Sequence, residues 1–573
     1  MTLAVGGLLQ GLSDNIVVDP RKCTFCGSCV EACVLDNLRL QLAPCRQACP
    51  LHANCQGYVQ LIARGDEEAA MAVLAEVLPF PGILGRVCSR PCESVCNRRE
   101  VDGAAVSIRD LKRYLADNVA LPPTRAAPDR AERVAVVGAG PAGAMAALCL
   151  RKQGFTVDLY DANQRLGGML AMAVPEFRLP TSVLNGELSL LERLGVTLQL
   201  GTRVGADVSL SEISERSDAV LLTTGAQRSR RLGIPGEDLV GIYPALEFLR
   251  LAKRQGIDTG RAQIPEAGQT DRSAGEGTAA AKDGPQVGMR VVVVGGGNTA
   301  IDAAQTAYRL GAQDVALVCL ESATEMPAFA WEVADAREEG IRVLNGWGPL
   351  RLVGSEGRVR EIVLRRCLRV FDAAGRWSPS FDESELRTMA VDTVVVAIGQ
   401  EADLSYLDHS PISTAGGRIL VDPLTLQCPD RHSGAPTLEK VFAAGDAATG
   451  PRTVIEALAA GRDAAESIGR YLRGEDLRYG RSYLGPYDLD FAADKSGAIA
   501  RPRVGPRKVT GGERRSFAEL TLGVSAEQAR AEAERCLSCG QVYGKYRACW
   551  FCLPCEVECP ERALRVEIPF LLR

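Results

Sequence analysis

Residues 134–154 read VAVVGAGPAGAMAALCLRKQG, a strand, a glycine-rich turn and a helix in immediate succession. The turn is Gly138-x-Gly140-x-x-Gly143, with Pro141 and Ala142 opening the helix. In that spacing the first glycine allows the tight bend and the second lets backbone approach a pyrophosphate. The third lets helix and strand pack closely, with phosphate at the helix N-terminus. The next strand, Val157–Tyr160, runs into Asp161, 23 residues after Gly138, where an acid is expected to bind ribose hydroxyls. A bare glycine triplet is weak. Strand, helix and acid together favour a dinucleotide site over a purely structural turn.

The unit recurs at 290–311, RVVVVGGGNTAIDAAQTAYRLG. Here Gly295-x-Gly297-x-x-Ala300 encloses Asn298 and Thr299, and alanine is an accepted third residue. The strand Val315–Cys319 leads to Glu321, 26 residues after Gly295. Two fingerprints imply two dinucleotides, with FAD plus a nicotinamide as the usual pair.

Working outward, the 573 residues are 46% hydrophobic and 24% charged, the balance of an ordinary globular protein of about four domains. With 66 basic and 71 acidic residues the formal charge is −5, so there is no overall basic footprint for nucleic acid. No apolar run approaches the ~20 residues of a membrane span, and Met1–Gln10 has no basic n-region, so neither a span nor a secretory signal is expected. A cytoplasmic location follows as the expectation.

Cysteine supplies the second signal. Of 20 cysteines, ten precede residue 100, six lie in 536–559, and Cys149, Cys319, Cys367 and Cys428 are isolated. Terminal clusters fit metal centres better than a disulfide scaffold, and three histidines leave little material for histidine-based sites. Cys23-x2-Cys26-x2-Cys29-x3-Cys33 and Cys549-x2-Cys552-x2-Cys555-x3-Cys559-Pro560 match bacterial ferredoxin spacing. Three thiolates of each run meet one cubane, and the fourth commonly ligates the neighbouring cluster. A zinc ribbon of Cys536-x2-Cys539 with Cys549-x2-Cys552 is the main alternative. The short flanks IVVDP, LRLQ and ALRVE read as strands of two half-ferredoxins. Either the chain ends fold together as one two-cluster unit, exchanging Cys33 and Cys559, or each end is its own module.

The expected class is α/β: two Rossmann-like domains, an α-helical iron–sulfur domain and ferredoxin-like terminal segments. The expected boundaries are a ferredoxin-like segment at 1–44, a helical iron–sulfur domain at 45–117 and a linker at 118–132. An FAD domain takes 133–250 and 391–473, and a nicotinamide domain takes 251–390 with a mobile insertion at 256–288. A wrapping segment follows at 474–534 and a second ferredoxin-like segment at 535–573. Ser525-x-x-Gln528 signals a helix cap into EQARAEAERC. No redox Cys-x-x-Cys lies in the flavin or nicotinamide regions, so electrons need another route than a dithiol.

Further motifs occur in a set order: Arg165-Leu-Gly-Gly168, Val174-Pro-Glu-Phe-Arg-Leu-Pro180, Thr223-Thr-Gly-Ala226, Glu325-Met-Pro-Ala328 and Ala443-Ala-Gly-Asp446. Together with both fingerprints, they give about residues 45–470 a resemblance to the small (β) subunit of glutamate synthase and its relatives. Those include the flavin parts of dihydropyrimidine dehydrogenase and of NADH-dependent ferredoxin:NADP oxidoreductase. The resemblance implies FAD at the first fingerprint, with Gly168, Met169, Gly225, Gly445 and Asp446 beside it and Thr453 and Val454 near the isoalloxazine. It implies NAD(P) at the second, with Gly399 nearby. Hydride would pass between nicotinamide C4 and flavin N5, with no side chain needed as acid or base.

Two departures matter. Relatives that use NADP commonly carry a basic pair where this chain has Leu320-Glu321; a carboxylate there repels a 2′-phosphate and accepts from a free 2′-hydroxyl, so NAD(H) is expected. The middle cysteines, Cys45, Cys49, Cys88, Cys92 and Cys96, resemble the family's helical iron–sulfur domain. Its upstream Cys-x-x-Cys is missing, however, and Lys112 falls where a Gln or Glu ligand is usual. One cluster is therefore lost, or it borrows Cys33 or Cys55. With Cys536 and Cys539 the candidate ligands number sixteen, enough for three or four 4Fe-4S clusters. The expected activity is NAD(H)-dependent electron transfer through FAD and clusters to a partner redox enzyme or ferredoxin. A glutamate synthase small subunit is the alternative.

Overall fold

The computed structural model describes residues 16–19, 21–259, 285–431, 438–481, 485–545, 549 and 552–567. Most of the 256–288 insertion lies outside the described residues.

Both fingerprints sit in five-stranded parallel sheets. The first orders its strands Val441–Ala443, Ala219–Leu222, Arg133–Val137, Thr156–Asp161 and Thr197–Leu200. The second orders Arg342–Asn345, Asp314–Cys319, Arg290–Val294, Thr393–Val396 and Ile242–Pro244. In each sheet the strand before the turn carries four consecutive buried residues, because helices cover both faces of a parallel sheet.

The second sheet corrects two boundaries. Ile242–Pro244 and Thr393–Val396, assigned from sequence to the FAD segments, pair in the nicotinamide sheet. A run such as TVVV is buried on both faces wherever it lies, so its pattern cannot say which sheet it joins. The chain leaves and re-enters the first unit through the antiparallel pair Arg228–Ser229 and Gln400–Glu401.

Trp347–Ser355, Arg358–Phe371 and Trp377–Ala390 form a three-stranded antiparallel sheet that sequence reading did not anticipate. Its signal was Glu356-Gly357, two residues with φ of 53° and 74°, the left-handed pair of a tight hairpin.

The first and last described strands meet. Ile16–Val18 pairs antiparallel with Leu564–Val566, Val17 opposite Arg565. Leu38–Gln41 pairs with Tyr487–Asp488 on one side and Val542–Gly544 on the other. Phe25, Val30, Leu38, Leu40, Leu564 and Val566 fill a common core.

Between this unit and the first sheet lies a helical layer of Cys55–Arg64, Glu67–Ala75, Pro81–Val87 and Ile108–Asn118. Helix Ala526–Ala533 packs on it, entered through a capping box in which Ser525 and Gln528 satisfy each other's backbone. Arg535, with no exposed surface, fastens that helix: it pairs with Glu532 at 2.5 Å and Asp102 at 2.9 Å and donates to the carbonyls of Ala104 and Ala105.

Candidate functional site

The first glycine turn is built on close approach. Gly138 has φ +107°, and a Cβ there would lie 2.4 Å from the Thr223 carbonyl oxygen. A Cβ on Gly143 would lie 1.9 Å from the Gly138 carbonyl, so nothing larger fits between helix Pro141–Lys152 and its strand. Gly140 meets nothing nearer than the Gly168 Cα at 3.9 Å, leaving the room a pyrophosphate needs at that helix N-terminus. Gly168 itself has φ +53° and backs onto Gly140, and Met169 opens the short helix Met169–Met172 behind it. Gly225, φ +71°, turns the chain after the Thr223-Thr224 pair.

Asp161 is partly engaged. Its carboxylate accepts from Ala139 N–H at 2.7 Å and from the Asn163 backbone and side chain at 2.8 Å each, so it ties the glycine turn to the strand end. Opposite, Gly445 has φ +67° and a Cβ there would press 2.9 Å from Ala142. Asp446 accepts from Arg452 N–H, and burial raises its carboxyl pKa to about 6. Thr453 caps helix Val454–Leu472 in a capping box with Glu456. This helix crosses the first fingerprint helix where Gly461 sits on the Ala142 carbonyl, a Cβ there being 2.1 Å away.

The second turn repeats the design. Gly295, φ +141°, would bring a Cβ within 2.2 Å of the Ala397 carbonyl, whereas Gly297 has open space around it. Ala300 is buried; Asn298 accepts from Phe329 N–H at 2.8 Å, and Thr299 receives Gln400 at 3.4 Å. Glu321 is half-buried, with a carboxylate oxygen 2.7 Å from where a Gly296 Cβ would be, so it hangs over the turn and not out in solvent. Leu320 faces the other way, onto Gly348. Gly399, φ +119°, lies beside Arg230.

Two contacts missed from sequence lock the dinucleotide units together. Arg178, inside the Val174–Pro180 motif, pairs with Asp302 at 2.6 Å and Glu332 at 2.7 Å across the boundary. Lys253 donates to the carbonyls of Leu170 and Val174. The motif flagged Arg178 but gave it no role; nothing in sequence marks Lys253.

The cysteines separate into four groups. One recess is lined by Cys23, Cys26, Cys29 and Cys559. Burial, then Cys26, Cys23 and Cys559, push the Cys29 thiol up to about 12. Cys33 instead faces Cys555, which burial and then Cys33, Cys549 and Cys552 push up to about 11. A second recess is lined by Cys45, Cys55, Cys96, Cys536 and Cys539. The fourth group is Cys49, Cys55, Cys88 and Cys92 around Lys112, which is 4% exposed. Burial alone lowers a lysine pKa, but the charge interaction with Cys88, Cys92, Cys49 and Cys55 outweighs it, and the Lys112 pKa is raised above its ordinary value.

Among the described residues no three His, Cys, Asp or Glu side chains converge as a single metal ion requires. Thiols set around a recess instead suit a cluster, whose irons sit at its corners. Cys536 and Cys539 share a recess with Cys45 and Cys96, which is against the zinc ribbon with Cys549 and Cys552. Cys33 packs in the same core as Cys549, Cys555 and Cys559.

The flavin-type unit shares a core with the helical unit, and polar contacts fasten the two. Arg462 of helix Val454–Leu472 donates to the carbonyls of Leu51 at 3.1 Å and Pro50 at 3.3 Å, directly after Cys49. Glu187 accepts from Gly82 N–H at 2.5 Å and Ile83 N–H at 2.9 Å, at the start of the helix that ends beside Cys88.

Residues 132–461 match the family model for pyridine nucleotide-disulphide oxidoreductases, more than half of the chain. The chain belongs to that family. Residues 10–121 match the model for dihydropyrimidine dehydrogenase domain II, 4Fe-4S cluster. Among family members, the chain is 36% identical over 540 residues to the NADP(+)-dependent formate dehydrogenase subunit beta of Moorella thermoacetica, covering 87% of this chain and 71% of that one. It is 33% identical to the glutamate synthase [NADPH] small chain of Azospirillum brasilense, covering 75% and 86%. It is 30% identical to the NAD-dependent dihydropyrimidine dehydrogenase subunit PreT of Escherichia coli, covering 75% and 92%. This is therefore an FAD/NAD(P)-type electron-transfer oxidoreductase with a 4Fe-4S domain, similar to subunits of multi-subunit enzymes. No helix among the described residues is long and apolar enough to cross a membrane.

Proposed function

We propose that the chain is a cytoplasmic NAD(H)-dependent electron-transfer subunit that exchanges electrons with a partner redox enzyme or ferredoxin. When bound, FAD accepts hydride from a nicotinamide and the clusters carry single electrons onward. The carrying observation is the contact of Arg462 with Pro50 and Leu51, which seats the loop after Cys49 on the helix that begins at Thr453. That helix runs from the flavin side to the thiol groups, so the protein's own scaffold holds donor and acceptor sites in fixed relation.

Gly138, Gly140, Gly143 and the N-terminus of helix Pro141–Lys152 hold the FAD pyrophosphate, with Gly445 and Asp446 closing the opposite side. Gly295, Gly297 and Ala300 hold the nicotinamide dinucleotide. Glu321 selects NAD(H), since its carboxylate over Gly296 accepts from a ribose 2′-hydroxyl and repels a 2′-phosphate. In the ferredoxin-like unit Cys23, Cys26, Cys29 and Cys559 ligate one cluster and Cys33, Cys549, Cys552 and Cys555 another. The exchange of fourth cysteines follows from the antiparallel pairing of the two ends. Cys552 is exposed, so electrons leave for the partner there.

The test is an absorption spectrum of anaerobically purified protein before and after NADH or NADPH, with iron counted on the same sample. Bleaching of broad absorption near 400 nm by NADH and hardly by NADPH is the expected result. Bleaching by NADPH alone rejects the nicotinamide assignment, and a colourless zinc protein rejects electron transfer itself.

A further inference from the structure

We propose that the helical unit holds a cubane on Cys45, Cys96, Cys536 and Cys539. It is thus closed by thiols from both ends of the chain. This rests on the iron–sulfur reading above and deepens it, for it replaces the missing upstream Cys-x-x-Cys with Cys536-x2-Cys539.

The recess beside Cys45 carries the assignment. Cys45 and Cys96 line it from the N-terminal region, and Cys536 and Cys539 line it from the C-terminal segment. That segment is pinned there by several contacts. Asn97 donates to the Cys539 Sγ at 3.5 Å, Gln56 donates to Ser538 Oγ and the Gly540 carbonyl, and Gln60 donates to the Cys536 carbonyl. Arg535, fully buried, fixes the residue immediately before Cys536. Two distant stretches fastened side by side, each bringing two thiols to one recess, make a built ligand set.

Cys55 lines the same recess, 3% exposed at the start of helix Cys55–Arg64. Its thiol is turned to the Cys45 carbonyl at 3.9 Å. The remaining four thiols, two from each stretch of chain, form the ligand set.

The experiment is iron counting and electron paramagnetic resonance on the full chain, purified anaerobically with its flavin. Each cubane is expected to contribute about four irons to the native protein. Cys45→Ser and Cys536→Ser are each expected to lose about four irons, with the same resonance signal missing, and the double variant to lose no more than either single. Cys55→Ser is expected to keep that signal and its irons. Additive loss within the set, or loss of the signal in Cys55→Ser, overturns the assignment. If a serine variant yields no soluble protein, Cys45→Asp and Cys536→Asp retain an anionic oxygen and are expected to alter one and the same signal; alteration of two signals overturns the proposal. Iron-replete protein with additive losses rejects only this pairing, whereas protein without iron rejects the electron-transfer reading itself.

Discussion

Arg535 and Asp102 form an ion pair at 2.9 Å between side chains that are 0% and 7% exposed, joining the C-terminal helix to the helical layer of the N-terminal region. Glu532 completes the arrangement, pairing with Arg535 and accepting from Ser107 N–H at 2.7 Å and Val504 N–H at 2.6 Å. Two stretches more than four hundred residues apart in sequence are thereby made one unit.

Removing Arg535 takes the cation from buried Glu532 and leaves Asp102 with Arg98. Arg535→Met is expected to destabilise by about 3–5 kcal/mol, read as a lower Tm with partial loss of iron. Arg501, paired with Glu534 at 46% and 45% exposure, is the control. Arg501→Met should change stability by about 1 kcal/mol or less. Equal effects from the two variants would contradict the buried-staple account.

Glu321→Arg places a guanidinium over Gly296 in place of a carboxylate. Bidentate pairing with a 2′-phosphate then becomes available, while the acceptor for a 2′-hydroxyl is lost. We expect kcat/KM for NADH to fall and that for NADPH to rise, each by about tenfold or more, the effect of ~1.4 kcal/mol. An unchanged ratio would mean that Glu321 does not read the ribose.

The two glycine turns give a matched pair of substitutions. Gly143→Ala forces a methyl to within 1.9 Å of the Gly138 carbonyl and is expected to cost flavin content and stability together. At Gly297 nothing lies within 4 Å, so Gly297→Ala should fold with native Tm yet raise KM for the nicotinamide severalfold. A drop in Tm at Gly297→Ala would show that the turn, and not ligand access, sets that position.

Lys112 holds its positive charge against four thiols. Lys112→Met withdraws that charge, and the reduced, more negative cluster should become harder to form. A redox titration followed by electron paramagnetic resonance should show one midpoint potential shifted downward and the others unmoved. No shift would place Lys112 outside the influence of any cluster.

Burial lowers the Lys253 pKa from its ordinary 10.5 to about 8, so the unfolded chain binds more protons than the folded one between those values. Stability contributed by this group is therefore smallest below about pH 8 and rises as pH goes from 8 to 10.5, by about 3 kcal/mol at most. Lys253→Met removes that slope. Urea unfolding at pH 7.5 and pH 9.5 is expected to show native protein gaining on the variant at the higher pH; a constant difference would refute the shift.

Both dinucleotide turns were legible because their requirements are local. Gly138, Gly143 and Gly295 are demanded by backbone a few residues away or on the adjacent strand, and the strand–turn–helix pattern carries that demand in contiguous sequence. Asp161 and Glu321 were found at the right strand ends for the same reason, although Asp161 also ties down Ala139 and Asn163. The hairpin at Glu356-Gly357 was equally local but went unread. The assignment of Thr393–Val396 to the wrong sheet had another cause, since a doubly covered strand has no face to betray its neighbours.

Sequence by itself determined the two dinucleotide folds, the thiol-rich ends and the carboxylate at position 321, because each is written in short-range spacing. Tertiary structure alone decided which cysteines stand together. Cys33 parts from its own run to join Cys555, Cys45 parts from Cys49, and Cys536 crosses to Cys96. Spacing fixes how far apart two thiols can be along a chain. Which recess each one enters depends on strand pairing between the termini and on buried contacts such as Arg535 with Asp102, which form only when distant segments are already packed together.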